Sequence, residues 1–514
     1  MNVSSRILVN TVSLYVKLVV TIVINLLLVR IVLAKLGVDD YGIYTLISGV
    51  VALLSFLNSA LMTSAQRFLS VALGEGDYLH LKRIMSSSVI IHLVFGLLLV
   101  FFFELLEPLL FAKIINVAPE RIPAAKIVYQ LMIVSTVVTV VAVPYNSLIN
   151  AREDMWYFAI VEIVVAIMKL FIIVLFRHTS FDALVLYTVW ILIATVVGII
   201  AKVVWCFIKY EESRGRLVIK NNGPVFKKLL SFTGWNALGS LAQAGRNQGV
   251  VLTINHFFGT AISGVFGIAN QVNGNLSYFS QMLTTSISPQ IMKSFGHGDY
   301  ERMKALSVFA SKMAFLLSAV FALPFYIEMP YLLEIWLDSV PPFTLEYCRL
   351  VMLLFLVMEL YPGLVRLIQA EGSIKWYQIG QSILFLLPIP LGIFIFHYGY
   401  THYYIVYLMV IAEVLMLFFA VFYTKLKVNL NAKNYFYFII KSVLLFIITL
   451  IVGLGIHNSL IDYCPRFMIL CIVSVVTVLL FSLTFFGVVF SSFEKMAIKA
   501  KVNEMVNKVR MRKK

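Results

Sequence analysis

The sequence predicts an all-α membrane protein that crosses the bilayer many times. Its 514 residues are 61% hydrophobic and only 13% charged, far from the composition of a water-soluble domain. Apolar segments long enough to span a bilayer follow one another along nearly the whole chain. The two halves of the chain also repeat each other at an offset of 222 residues. Together, these observations predict a duplicated helical bundle in lipid.

The apolar segments predict about fourteen transmembrane spans, with twelve as the alternative. Spans 2, 7 and 8 are the most polar, so their assignment depends partly on the repeat. In chain order, the predicted spans cover residues 8–34, 41–69, 85–112, 125–148, 155–176, 183–208, 229–254, 260–291, 305–327, 345–367, 374–397, 402–424, 435–456 and 467–490.

The repeat is clearest in two short polar segments. Residues Gly74–Lys82 read GEGDYLHLK and residues Gly296–Lys304 read GHGDYERMK. The same register, without a gap, places Gly37 on Gly259. In each segment the glycines permit a turn, and the aspartate is expected to cap the following helix. These segments therefore mark equivalent turns in two copies of one unit.

A second similarity relates INAREDMWY at residues 149–157 to IQAEGSIKWY at residues 368–377, with one inserted residue. Both segments follow the fourth span of their copy. The repeat predicts five regions: an N-terminal six-span lobe at 1–208, a cytoplasmic linker at 209–228, a C-terminal six-span lobe at 229–424, spans 13 and 14 within 435–490, and a basic amphipathic cytoplasmic tail at 491–514.

Basic residues concentrate in alternate loops, and the positive-inside rule then places both termini in the cytoplasm. The net charge of +16 is explained by this topology and by the basic tail, which is expected to rest on anionic lipid. No basic cluster lies in a soluble domain, so nucleic acid is not an expected partner.

Six spans per copy is an even number, so both lobes enter the membrane the same way up. This arrangement suits a transporter whose lobes expose a central site to each side in turn; a duplicated scaffold without transport is the alternative. The longest outer loop, at 328–344, is short and apolar, and no nucleophile, phosphate-loop or zinc motif occurs. We therefore expect a transporter without catalytic residues or a bound metal.

The fourteen-span layout, the GxGDY-type loops, the INAREDM segment and the polar spans 7 and 8 resemble the polysaccharide transporter, or O-antigen flippase (Wzx-like), family of the MATE-like (MOP) superfamily. The resemblance implies a flippase in the bacterial inner membrane. Its substrate would be an undecaprenyl-diphosphate-linked oligosaccharide, moved to the outer face for O-antigen, capsule or exopolysaccharide synthesis. It implies no cofactor, H⁺ or Na⁺ as coupling ion, and a polysaccharide polymerase and chain-length regulator as partners. A functional monomer is the default expectation.

Three other functions are weighed against this one. An organic-cation exporter of the MATE type would need an acidic residue in span 1 or 7, and these spans carry Lys17 and Arg246 instead. A lipid II flippase would need basic residues in span 8, which has none. A membrane enzyme acting on lipid-linked sugars would need a long polar outer loop, whereas the longest predicted outer loop of this chain is short and apolar.

An anionic diphosphate needs cationic groups at membrane depth, where charged residues are costly and usually functional. The first candidates are Lys17 in span 1, Arg246 in span 7 and Lys169 in span 5. Amide side chains at helical spacing are expected to line a sugar-compatible surface or to join helices: Asn236, Gln243, Asn247, Asn270 and Gln281.

Four further cations lie nearer to span ends, where their side chains can reach the interface: Arg30, Arg67, Lys202 and Lys312. Carboxylates within spans are candidates for ion coupling or for structural ion pairs: Glu162, Glu359 and Glu413. Glu162 and Lys169 are seven residues apart on one face of span 5.

Overall fold

The computed structural model describes residues 3–52, 55–111, 117–172, 181–214, 218, 222–337, 340–492 and 494–496. These residues form helices and connecting turns, with no strand among them. The helices are α1 (Val3–Ala52), α2 (Ser55–Glu75), α3 (Tyr78–Leu109), α4 (Ile122–Val141), α5 (Val143–Ala151), α6 (Met155–Leu170), α7 (Ala183–Lys209), α8 (Gly223–Gly296), α9 (Tyr300–Ile327), α10 (Met329–Trp336), α11 (Thr344–Met358), α12 (Pro362–Glu371), α13 (Lys375–Leu386), α14 (Pro388–His397), α15 (Tyr404–Val428), α16 (Ala432–Leu460) and α17 (Arg466–Val488).

The surfaces of the helices confirm a multi-pass membrane protein. On α3, Leu97, Phe101 and Leu105 recur every four residues and are exposed, whereas Leu99 and Phe103 are buried. A continuous exposed apolar stripe of this kind would be unfavourable in water and is favourable against lipid tails. Helices are also the form that satisfies every backbone hydrogen bond within one segment when no water is present.

In the described part of the chain, ten helices are long and apolar enough to cross a membrane, or eleven if α11 and α12, bent by 40°, form one span. The difference from fourteen has three local causes. Predicted spans 7 and 8 count once because they run together in α8, where two helices meet at the non-helical Gly259. In addition, α2 is rich in polar side chains, and α6 has only 16 residues. The count of fourteen therefore stays a prediction.

The chain divides into two compact units, which we call the N-unit and the C-unit. The N-unit comprises Arg6–Ser240 with Gly296–Gly298, and the C-unit comprises Met1–Ser5, Leu241–Phe295 and Asp299–Lys514. The division falls within α8, whereas the sequence predicts the boundary in the linker at 209–228. The linker is described in part, and the predicted tail helix beyond residue 496 lies outside the described residues. The lobe boundaries stay predictions.

The backbone repeats at the same offset as the sequence. Gly37 (φ 77°, ψ 176°) and Gly259 (φ 81°, ψ −178°) interrupt α1 and α8 at equivalent positions. Gly76 and Gly298 form a second equivalent pair, with φ of 73° and 75°. Such backbone conformations are readily adopted only by glycine. The duplication therefore extends from residue types to local backbone geometry.

The predicted helix caps are confirmed in both copies of the polar turn. Asp77 accepts a hydrogen bond from the His80 amide at 2.9 Å, and Asp299 accepts one from the Arg302 amide at 3.0 Å. Each carboxylate thereby satisfies an amide of the first helical turn, which has no partner within the helix. The GxGDY segments are thus turn-and-cap structures.

Arg121 joins two parts of the chain at one end of the N-unit. Its guanidinium donates to Asp40 at 2.8 Å and to Asp182 at 2.5 Å. Asp182 also caps α7 by accepting from the amides of Leu184 and Val185. Burial opposes the ionisation of Asp182, but the hydrogen bonds from Arg121 and these amides outweigh it and hold the pKa of Asp182 below its usual value.

At the opposite end of the N-unit, the INAREDMWY segment holds the residues that follow α7. Arg152 donates to both carboxylate oxygens of the buried Glu212 at 2.8 Å. Asp154 accepts from Lys209 at 2.6 Å and from the Tyr210 hydroxyl at 2.5 Å. We call these five residues the linker joint. The joint fixes the ends of α5, α6 and α7, the last two of which carry the polar site described below.

Replacing Gly259 with alanine should destabilise the protein, because a non-glycine residue at φ 81° and ψ −178° costs about 1–3 kcal/mol. Gly264 is the matched control: a Cβ at either position meets nothing within 4 Å, but Gly264 lies in regular helix. Gly264→Ala should leave stability unchanged or raise it by up to about 1 kcal/mol. Thermal unfolding in detergent compares the two variants; equal melting temperatures would contradict the assignment.

Candidate functional site

A charged cluster lies inside the N-unit around Glu162 of α6. The Lys202 ammonium, on α7, donates to Glu162 Oε1 at 2.5 Å. Lys17 of α1 and Lys169 of α6 also interact electrostatically with the Glu162 carboxylate. We call Lys17, Glu162, Lys169 and Lys202 the lysine cluster. Three helices thus bring three formal positive charges to one formal negative charge.

Phe158 organises two members of the lysine cluster. It precedes Glu162 by one helical turn on α6, so the two side chains lie on the same face. Lys17 Nζ lies 5.1 Å from the centroid of the Phe158 ring and Lys202 Nζ lies 4.5 Å from it. A ring face attracts ammonium groups, most strongly where water is scarce. Phe158 therefore helps hold two like charges near each other.

The lysine cluster lies within the helical bundle. Glu162 and Lys202 lie about two helical turns from Asp154 and Lys209 of the linker joint. The side chain of Lys202 is 7% exposed, whereas that of Glu162 is 31% exposed. Charges at such positions in a membrane protein are expensive and need partners. Within the cluster one carboxylate serves three ammonium groups, which leaves a formal charge of about +2 for an anion to neutralise.

Arg246 has a different setting in the C-unit. Its Nη1 donates to Glu413 Oε2 at 2.6 Å, and the Tyr361 hydroxyl donates to the other carboxylate oxygen. The guanidinium also stacks on Phe385 at 4.1 Å from the ring centroid. The side chains of Arg246 and Glu413 are 2% and 0% exposed. This arrangement is a closed ion pair with matched charges.

Glu359 lies at the break between α11 and α12. It is buried and accepts a hydrogen bond from Ser280 at 2.7 Å. Within the described part of the chain, no ion pair to Glu359 is present, in contrast to Glu162 and Glu413. A buried carboxyl group without a cationic partner is costly when ionised, so this position can hold a proton or a bound cation.

The amide side chains differ in exposure. Asn236, in the N-unit, is buried and donates to the Phe232 carbonyl of its own helix at 3.2 Å. Asn247 and Gln281, in the C-unit, are exposed, and Gln243 and Asn270 are half-buried.

The four cations near span ends also differ in setting. Arg30 is exposed, and Arg67 is buried against the rings of Phe68 and Phe232 at 4.5 and 5.1 Å. Lys312 donates to both carboxylate oxygens of Glu494 at 3.0 and 2.8 Å. Of these four, Lys202 alone joins the lysine cluster. The partners Phe158, Ser280, Tyr361 and Glu494 were missed by sequence reasoning; the four-residue spacing from Phe158 to Glu162 was the one available signal.

Comparisons with known proteins show what this fold is. No protein-family model matches the sequence, and no curated protein matches it. Among solved structures, an outward-facing multidrug-resistance MATE transporter of the MOP superfamily superposes with a TM-score of 0.73, at 13% identity, over 84% of this chain and 96% of that one. A MATE crystal structure in a bent conformation gives 0.73 at 13% identity, over 85% and 97% of the two chains.

A third similar structure is a MOP superfamily transporter from Pyrococcus furiosus, in which the reverse polarity of the binding pocket suggests a different function. It superposes with a TM-score of 0.70 at 14% identity, over 84% of this chain and 96% of that chain. The chain therefore has the fold of these MATE-type transporters, as the sequence predicts.

The Arg246–Glu413 pair predicts a strong stability effect. Arg246→Met or Glu413→Gln should each destabilise the protein by about 3–5 kcal/mol, because each leaves one charged or polar partner buried alone. The double variant should lose less than the two single losses together. Thermal unfolding in detergent measures this cycle.

The matched control is the ion pair of Arg466 with Glu334, whose side chains are 65% and 52% exposed. Arg466→Met and Glu334→Gln should each change stability by at most about 1 kcal/mol. Full stability of Arg246→Met combined with lost transport would instead identify Arg246 as a substrate ligand.

Proposed function

We propose that this protein is a flippase that carries an undecaprenyl-diphosphate-linked oligosaccharide across the bacterial inner membrane by alternating access. The observation that carries the proposal is the lysine cluster, with three ammonium groups and one carboxylate inside the N-unit. An anionic headgroup is the kind of substrate that such a cluster can neutralise. Both termini would lie in the cytoplasm, and the substrate would leave for surface polysaccharide synthesis.

The roles of the candidate residues follow from their settings. Lys17, Lys169 and Lys202 would bind the diphosphate, since their cluster has excess positive charge. Arg246 is matched by Glu413 and would stabilise the C-unit. Glu359 would be the first candidate for coupling to H⁺ or Na⁺. Exposed amides such as Asn247 and Gln281 would meet the sugar, which hydrogen-bonds readily to amide groups.

The polarity of the binding pocket bears on the choice of substrate. The pocket of the Pyrococcus furiosus transporter is described as having reverse polarity, so a cationic site in this fold is a reasonable starting point for an anionic substrate. The lysine cluster disfavours an organic cation at the same position, because like charges repel. A lipid II flippase is compatible with the lysine cluster, but α8 supplies no basic residue in its second half between Gly259 and Ile291.

The second candidate is efflux of organic cations, and Glu359 is the observation that favours it. This buried carboxyl group has a hydroxyl partner in Ser280 and, within the described residues, no cation. A substrate cation or a coupling proton could occupy the position. The fold of multidrug-resistance MATE transporters is consistent with this function as well.

The flippase proposal predicts that Lys17→Ala combined with Lys202→Ala will reduce surface glycan at least about tenfold, since each lost ammonium–phosphate contact costs about 1.5–3 kcal/mol. Lipid-linked repeat units should accumulate on the cytoplasmic face. The assay is complementation of a deletion host, with protein abundance measured by immunoblot. The control is Lys433→Ala, which removes an exposed lysine of α16. Wild-type glycan at unchanged abundance would contradict the site.

Glu359→Gln separates the two candidates. If the protein exports organic cations, this change should abolish drug resistance and leave surface glycan intact, because a neutral amide cannot balance a cation. If the protein is an ion-coupled flippase, the same change should lower glycan and leave drug susceptibility unchanged. Measuring both phenotypes in one host, with Glu334→Gln as the exposed control, gives the answer.

A further inference from the structure

Glu162 has a setting that a purely structural ion pair does not require. It accepts a hydrogen bond from Lys202 of α7 at 2.5 Å and also interacts electrostatically with Lys17 of α1 and Lys169 of its own helix. We propose that Glu162 is an internal competitor for the substrate: it holds Lys202 when the site is empty, and it weakens diphosphate binding enough to permit release. This inference rests on the proposed function and concerns the diphosphate group, whether lipid-linked or free.

The charges support this role. The contact of 2.5 Å ties Lys202 directly to the Glu162 carboxylate. An incoming diphosphate must disturb this contact to reach Lys202, because the Lys202 side chain is only 7% exposed. It can either replace the carboxylate or share the ammonium with it, since an ammonium has three donors. With Glu162 ionised, the cluster keeps a formal charge of about +2, which balances the charge of a diphosphate diester. Without the Glu162 carboxylate, the three lysines would have more positive charge than the diphosphate diester can balance, and they would hold the anion more tightly.

The accessibility of the two partners agrees with an exchangeable contact. The side chain of Glu162 is 31% exposed and that of Lys202 is 7% exposed, so the carboxylate is the more accessible partner of the pair. Phe158 keeps Lys202 and Lys17 on its ring face at 4.5 and 5.1 Å. The two ammonium groups therefore retain a partner while the carboxylate moves away. The buried Arg246–Glu413 pair offers no such exposed carboxylate.

A transporter has reason to contain such a competitor. Interactions that bind the substrate equally strongly at every step lower the rate of release, since the affinity of related complexes is set mostly by the dissociation rate. A carboxylate that returns to its lysine takes the place of the diphosphate at the moment of release. Glu162 would accordingly limit affinity and raise turnover.

The experiment compares Glu162→Gln, Glu162→Asp and wild type, purified in detergent, with three probes: farnesyl diphosphate, inorganic pyrophosphate and farnesol. Glu162→Gln should bind both diphosphates about tenfold more tightly, because one competing charge is removed. Glu162→Asp keeps the charge and should bind as wild type does. Farnesol should bind all three equally. Glu334→Gln, far along the chain and exposed, should match wild type.

In cells, Glu162→Gln should lower surface glycan several-fold although it binds diphosphate more tightly, which is the opposite of the lysine variants. A purely structural role would instead reduce the melting temperature and weaken or leave unchanged the binding of every probe. Binding of Glu162→Gln that is unchanged or weaker, while Lys17→Ala weakens diphosphate binding, would overturn the competitor and leave the flippase standing.

Failure of wild type and all variants to bind either diphosphate, with full surface glycan in the lysine variants, would overturn the proposed function as well. Farnesyl diphosphate and inorganic pyrophosphate distinguish the source of the anion. Tighter binding of both in Glu162→Gln supports competition for the diphosphate itself. Tighter binding of farnesol would show that the change acts on the apolar surface and would sink the proposal.

Discussion

The neutralisation of charge away from water is the constraint on which the interior of this protein depends. An ionised side chain inside a membrane protein loses its hydration and must regain comparable interactions from neighbouring groups. The C-unit meets this requirement by matching charges: Glu413 pairs with the Arg246 guanidinium, Phe385 lies against it, and Tyr361 donates to Glu413. The N-unit meets it incompletely at the lysine cluster. The difference is the reason that we propose the lysine cluster, and not the Arg246–Glu413 pair, as the anion site.

The architecture around the lysine cluster serves the same constraint. Phe158 and Glu162 project from one face of α6, while α7 brings Lys202 to that face. The linker joint holds the start of α6 and the end of α7, and Arg121 holds the start of α7, in each case through charged hydrogen bonds. Hydrogen bonds between charged groups are stronger than those between neutral groups, and they fix the relative orientation of the groups that they join. The positions of the lysines are therefore determined by polar contacts at the helix ends as well as by apolar packing.

The sequence was sufficient for the fold class and for the repeat, because both depend on regular patterns. Apolar length predicts spans, and a gap-free offset of 222 residues between the two copies predicts matched turns such as Gly76 and Gly298. It was insufficient for the partners of individual charges. Glu413 lies 167 residues from Arg246, and no periodicity links positions so far apart on different helices. The position of Lys202 near the end of its span favours a side chain at the interface, yet helix packing places its ammonium directly on Glu162.

The turn after the fourth span of each copy records the history of the duplication. The backbone takes a left-handed conformation at Glu153 in the first copy (φ 65°) and at Gly372 in the second (φ 98°), although the residues differ. Glutamate in this region is less favourable than glycine, so the conformation is imposed by the surrounding structure. In the first copy the Glu153 carbonyl accepts a hydrogen bond from Asn10 at 2.9 Å. The two copies therefore share the conformation of this turn although they differ in the residue that adopts it.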